Sequence, residues 1–221
     1  MLAPTLHLGA QAKDFSMKDM NDFRLVPKNL AVAAALLVAP TVWAAPTYTP
    51  GTYQLDAMHS KVGFEVSHLV IATVEGRFTD FQGELVLAPK VDQSTLNVTI
   101  KTASIDTSVP KRDDHLRSAD FFDATKYPEI IFKSKKISGS LQALRVVGDF
   151  TMHGVTREVT LDAKYLGEVK DGYGNLKVAF DGKTKIKRED FGLKWSSMVE
   201  AGPVVGSEVT IDLKVQAAPK K

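Results

Sequence analysis

The sequence predicts an all-β fold: an eight-stranded antiparallel barrel with one short helical segment between the third and fourth strands. Three observations predict it. From Gly51 onward nearly every stretch alternates apolar and polar residues, the period of a strand that buries one face. The connections are mostly short turns, such as Lys170-Asp171-Gly172-Tyr173-Gly174-Asn175, which suit antiparallel neighbours. An open sheet of that many strands would also leave exposed edges, which closure removes.

The elements follow in chain order. Residues 52–71 form the first strand, with Val62, Phe64, Val66, His68 and Val70 on one face and Lys61, Glu65 and Ser67 on the other. Residues 73–89 form the second, with Phe81, Gly83, Leu85 and Leu87 in phase. In the third, residues 94–106, Leu96, Val98 and Ile100 oppose Thr95, Asn97, Thr99 and Lys101. The helical interlude covers 108–129: Pro110 opens it, Asp113 and Asp114 offer an N-cap and first-turn charge, and Pro128 ends it. Five strand-like stretches then follow, 130–137, 144–155, 156–169, 175–188 and 207–215. In the last, Val209, Ile211, Leu213 and Val215 alternate with Glu208, Thr210, Asp212 and Lys214.

An eight-stranded barrel is just wide enough to be filled by its own side chains or to hold one ligand. The inward phases give the candidate lining: Phe64, Val66, His68, Phe81, Leu85, Leu96, Val98, Ile100, Ile130, Phe132, Phe150, Met152 and Phe180. Gly83, Gly148 and Gly182 share these phases, and glycine there either leaves room or marks a bend in the wall. Asp181-Gly182 also has the form of a hairpin turn. The connection 188–209 carries Phe191, Leu193, Trp195, Met198, Val204 and Val205, too apolar to be left in water. It is either a plug or a lid; the reading favoured is a lid, with Trp195 and Met198 at the mouth.

Ahead of the barrel, Arg24 and Lys28 precede an apolar run from Leu30, with Val42 and Ala44 at the spacing of a cleavage site. That is the layout of a secretory signal over residues 1–44, too short for a membrane span, which takes about 20 apolar residues. Its first 16 or so residues read as an over-extended start, with Met17 or Met20 the initiator. Residues 45–221 are then the mature single domain, exported and without a stable membrane anchor. With 44% hydrophobic residues it can build a core. A net charge of +2, spread along the chain, gives no sign of a nucleic-acid partner. The absence of cysteine excludes disulfides and thiolate chemistry.

Catalytic signatures are weak. His59 and His68 lie on opposite faces of a regular strand and roughly 30 Å apart, so they cannot share a metal ion. Arg112-Asp113-Asp114-His115 with Arg117, Asp120 and Asp123 could in principle do acid–base work or hold a divalent metal, but mutual surface ion pairs explain the same residues. His153 beside Gly154 reads as a strand-connecting turn. No metal ligands or catalytic residues are assigned.

Several strings together, HSKVGFEVSH, RDDHLRSADFFDATKYPEIIFKS, GDFTMHGVTREV, KREDFGLKW and VGSEVTIDL, resemble the YceI-like family over about Thr52 to Val215. The resemblance implies a lipocalin-like barrel in the bacterial periplasm, often dimeric. It also implies an apolar tunnel for polyisoprenoids such as isoprenoid quinones, or for fatty-acid-derived or amphiphilic compounds, with no cofactor beyond such a lipid. Arg112, Asp113, His115, His153, Arg188 and Asp190 match the family pattern as structural or polar positions. Arg188 is expected to pair with Asp190 or with the Asp113 region. Two rival readings remain: a hydrolase or metal-dependent enzyme built on Asp113, Asp114 and His115, and a filled barrel acting through protein contacts.

Overall fold

In a computed structural model, residues 48–199 and 202–220 are described; the segment read as a secretory signal lies outside them. The strands are β1 (Gly51–Leu55), β2 (Lys61–His68), β3 (Ala72–Phe78), β4 (Phe81–Leu87), β5 (Thr95–Lys101) and β6 (Ile105–Asp106). After helix α1 (Pro110–Arg117) come β7 (Glu129–Ser140), β8 (Ala143–Met152), β9 (Val155–Lys170) and β10 (Leu176–Lys187). A two-residue pair, β11 (Met198–Val199) and β12 (Gly202–Pro203), precedes the final β13 (Val205–Pro219).

The first six segments are three interrupted strands. β1 and β2 lie end to end along β13, Leu55 opposite Ala217 and Lys61 opposite Lys214. The break between them is a 3-10 turn in which the Asp56 carboxylate accepts the Met58 N–H at 3.2 Å. β4 and β3 run along β1 and β2 in the same way, and β5 and β6 along β4 and β3. Pairing then passes through β7, β8, β9 and β10 to β13, and β13 returns to β1, closing an eight-strand antiparallel barrel.

Alternation does most of the building. In β8, Leu144, Val146, Phe150 and Met152 are buried while Ala143 and Arg145 face solvent. Two bulges adjust the phase. One in β7 between Ser134 and Lys136 turns Lys135 outward, where it meets Asp149 at 3.3 Å and Glu158 at 3.0 Å. Another in β9 expels Leu166, half of which is exposed. The β8–β9 hairpin turns on His153 and Gly154 at φ 52° and 74°, the left-handed pair that tight hairpins require.

The barrel glycines divide. A methyl on Gly83 would meet Leu55 Cδ1 at 2.6 Å and the Asn97 carbonyl at 2.8 Å, and one on Gly148 the Lys133 carbonyl at 2.5 Å and the Phe132 ring at 2.6 Å. Both therefore serve close packing of neighbours and add no space. Gly182 borders the interior, and it lies mid-strand opposite Ala163 and Leu213, so Asp181-Gly182 is not a hairpin.

Candidate functional site: an apolar cavity between two closed ends

Inside the barrel the apolar faces do not meet. They enclose a cavity of about 250 Å³, far above the roughly 10–15 Å³ that one water needs and somewhat below the roughly 300–1,000 Å³ of ordinary small-molecule pockets. Phe64, Val66, Phe81, Leu85, Leu96, Val98, Ile100, Ile130, Phe132, Phe150, Met152 and Phe180 all line it. So do residues the sequence reading left out: Leu144, Val146 and Leu161 at mid-height, Ile186, and Val209, Ile211 and Leu213 of β13. The β13 residues carried a legible signal, since their alternation matched that of the named strands.

Three expectations for the lining need correction. His68 does not line the cavity. It keeps the alternation of β2, half-buried beside exposed Ser67 and in regular register with Ala72, but at the strand's last position it stands outside the cavity wall. Trp195 stands one layer out, its ring 5.2 Å from His115 and 5.0 Å from Phe121, and it is Phe121 that faces inward. Met198 is 73% exposed on the small β11–β12 ladder. The connection acts as a plug at this end: Phe191 and Leu193 are buried against Ile130, Phe150 and Ile186, with Leu116 and Phe122 of the helical segment beside them.

Arg188 holds the plug in place. Its side chain is 6% exposed, and the guanidinium donates to the carbonyls of Leu193 (2.6 Å), Trp195 (2.8 Å), Gly206 (2.9 Å) and Val205 (3.4 Å). Its carboxylate partner is Glu189 at 3.2 Å, which also accepts from Ser207. This replaces the expected pairing with Asp190 or the Asp113 region. Asp190 is exposed, and its carbonyl accepts from Arg157.

The Arg-Asp-Asp-His cluster is likewise engaged in shaping the chain. Asp113, 6% exposed, accepts from the Thr107 N–H at 2.9 Å and hydroxyl at 2.5 Å, and Arg112 donates to the Thr107 hydroxyl and carbonyl at 2.7 and 2.8 Å. Neither Asp113 nor Asp114 is the N-cap, a position taken by Val109 with Pro110 following. Arg117 donates to the Ala103 and Ile105 carbonyls and meets Asp114 at 3.1 Å. His115 contacts Asp120 at 3.0 Å and stands edge-on to Phe121. His153 contacts the Phe191 carbonyl at 3.1 Å and lies against Tyr127 and Gly192. Among the described residues no three His, Asp or Glu side chains gather as metal ligands.

The opposite end is closed by tyrosines. Tyr48 is buried, its hydroxyl donating to the Ala88 carbonyl at 2.6 Å and its ring edge-on to Tyr165. Thr49 donates through its N–H (2.8 Å) and hydroxyl (2.9 Å) to Glu168, and Tyr53 donates to the Thr49 carbonyl. Burial pushes the Tyr48 and Tyr53 hydroxyls above their ordinary pKa, and burial with the nearby Glu168 charge pushes Tyr165 up to about 12.

A closed antiparallel barrel around a hydrocarbon-walled cavity, with both ends stoppered by side chains, is the form of a container for an apolar molecule. The YceI-like domain family model matches residues 53–217, and the chain belongs to that family. It is 35% identical over 189 residues to protein YceI of Shigella flexneri, covering 84% of this chain and 96% of the relative. The crystal structure of the Campylobacter jejuni YCEI protein is 34% identical, covering 80% of this chain and 99% of that one with a TM-score of 0.61. A polyisoprenoid binding domain from Saccharophagus degradans shares the fold at 17% identity, with a TM-score of 0.56 and coverage of 78% and 100%.

Proposed function

We propose that the protein sequesters or carries a long hydrophobic molecule, a polyisoprenoid or isoprenoid quinone or a fatty-acid-derived or amphiphilic compound, through the periplasm. The observation that carries this is the cavity, whose wall is almost wholly hydrocarbon. The shared fold with a polyisoprenoid binding domain supports the ligand class, and the signal-like N-terminal sequence supports the compartment. Burial of such a chain needs no catalytic group. It gains about 0.3 kcal/mol per heavy atom for larger ligands, so each five-carbon isoprene unit adds about 1.5 kcal/mol, or about tenfold in affinity. The groups an enzyme reading would use are committed to backbone and to one another, as Asp113 is to Thr107.

Titration with prenols of increasing length tests the proposal. Affinity should rise about tenfold per isoprene unit and then level off when the cavity is full. Affinity independent of length, or no binding at any length, would refute it.

A further inference from the structure

The β2–β3 hairpin turns through three residues, Leu69, Val70 and Ile71, between the paired His68 and Ala72. Leu69 and Val70 have φ 52° and 67°, in the left-handed region that glycine or asparagine ordinarily fills in tight turns. For a β-branched residue such as Val70 that conformation is strained. The same turn holds apolar side chains in water, with Val70 57% and Ile71 89% exposed. Beside it stands the β11–β12 pair, where Met198 is 73% and Val199 43% exposed. The two tips meet: the Leu69 N–H donates to the Val204 carbonyl at 2.9 Å, and a methyl on Gly202 would lie 3.2 Å from Val70 Cγ2. Strain and apolar exposure thus coincide at one spot, the mark of a surface kept for contact.

We propose that these two tips dock the protein reversibly on a lipid surface without net charge, dipping Val70, Ile71, Met198 and Val199 among the acyl chains. Area and charge select that occupant. Four side chains expose a few hundred Å² at most, far less than the roughly 800 Å² per partner that a stable protein interface takes. An apolar anchor of that size suits weak, reversible attachment to a bilayer, of the kind a single acyl chain gives. Residues 67–73 and 196–207 contain only one Lys, Arg, Asp or Glu, which is Glu200 in the β11–β12 turn. Nothing in these segments therefore attracts anionic headgroups.

The patch also adjoins the cavity. Val66 and Val205 line the interior, Val205 pairs with His68 at the base of the hairpin, and its carbonyl accepts from Arg188, the residue that pins the plug. Resting on the carrier reading above, docking at these tips sets the plug end of the cavity against the bilayer in which a water-insoluble guest resides.

The test is co-sedimentation of the purified protein with vesicles of phosphatidylethanolamine and phosphatidylcholine, with and without phosphatidylglycerol, at low and high salt. Wild type should bind with an association constant on the order of 10⁴ M⁻¹, little changed by phosphatidylglycerol or by salt. The double variant Val70→Asn, Ile71→Ser should bind roughly tenfold more weakly or less. It should also be at least as stable to heat, because asparagine accepts the left-handed backbone. Tyr173→Ser, which removes an exposed ring from the β9–β10 turn, should change nothing. No vesicle binding by wild type, unchanged binding by the double variant, an equal loss in Tyr173→Ser, or binding that requires phosphatidylglycerol and vanishes at high salt would overturn the proposal. So would self-association that the double variant abolishes while vesicle binding persists, which would assign the patch to a second copy of the chain. Prenol titration without vesicles separates the two readings: wild type that binds vesicles but no prenol sinks the carrier reading alone, and wild type that binds prenol but no vesicles overturns docking alone.

Discussion

Replacing Arg188 with alanine should release the plug, and the structure sets the size of the effect. Three of the guanidinium's bonds to carbonyls are at or below 2.9 Å, and the side chain is 6% exposed. Hydrogen bonds to a charged group contribute about 1.5–3 kcal/mol each, which would exceed 4 kcal/mol if the carbonyls stayed buried. They need not stay buried, because the segment around Leu193 can peel away and hydrate them. The cost is then capped by the exposure of Phe191 and Leu193, about 1.5–3 kcal/mol apiece. The expected loss is therefore about 3–6 kcal/mol, a fall in melting temperature on the order of 10 °C or more for a domain of this size. Arg188→Lys should recover only part, since a lysine has three donors and no planar fork. Thermal and urea unfolding give the total, and amide exchange over residues 193–206 should show that segment opening first. A loss under 1 kcal/mol with those amides still protected would refute the reasoning.

Val98→Trp places a large ring in the cavity from a position opposite Gly83 and Phe132. It should abolish prenol binding while costing little stability, whereas a loss of about 1–3 kcal/mol, as in a packed core, would contradict the open interior. His115→Ala should leave prenol binding unchanged, and Asp113→Asn should cost about 1–3 kcal/mol of stability by weakening the buried Thr107 contacts; loss of prenol binding in a folded His115→Ala protein would place that cluster in the site. The folded protein holds Tyr165 protonated to about 12, above the ordinary tyrosine value of 10.0. That contribution to stability is complete below about pH 10 and is lost as pH rises toward 12, with Tyr48 and Tyr53 acting in the same direction. Denaturant midpoints should fall through that interval, and less steeply in Tyr165→Phe; a flat profile would contradict the burial of these hydroxyls.

The barrel was legible because period-two alternation holds within each segment. Asp56 bends the first strand into a 3-10 turn that resets the phase, so that Leu55 and Val62, an odd number of residues apart, both face the interior. Most of the lining followed from the same parity. The failures sit where parity gives no answer: it assigns His68 a face but not the depth at which the cavity ends, and Trp195 and Met198 belong to a connection whose course no periodicity specifies. Arg188 was misassigned for another reason. Its partners are main-chain carbonyls, which leave no trace in side-chain identity, so charge pairing with Asp190 looked the better choice from sequence.

The central claim is that the barrel's interior is apolar space for a guest molecule. Its most direct test is to purify the protein from the compartment where it folds, extract it with organic solvent and identify what is released by mass spectrometry. The account predicts one long-chain lipid at close to one molecule per barrel, absent from the extract of Val98→Trp. An extract with no lipid, together with a crystal structure in which side chains fill the interior from Tyr48 to Phe191, would contradict it.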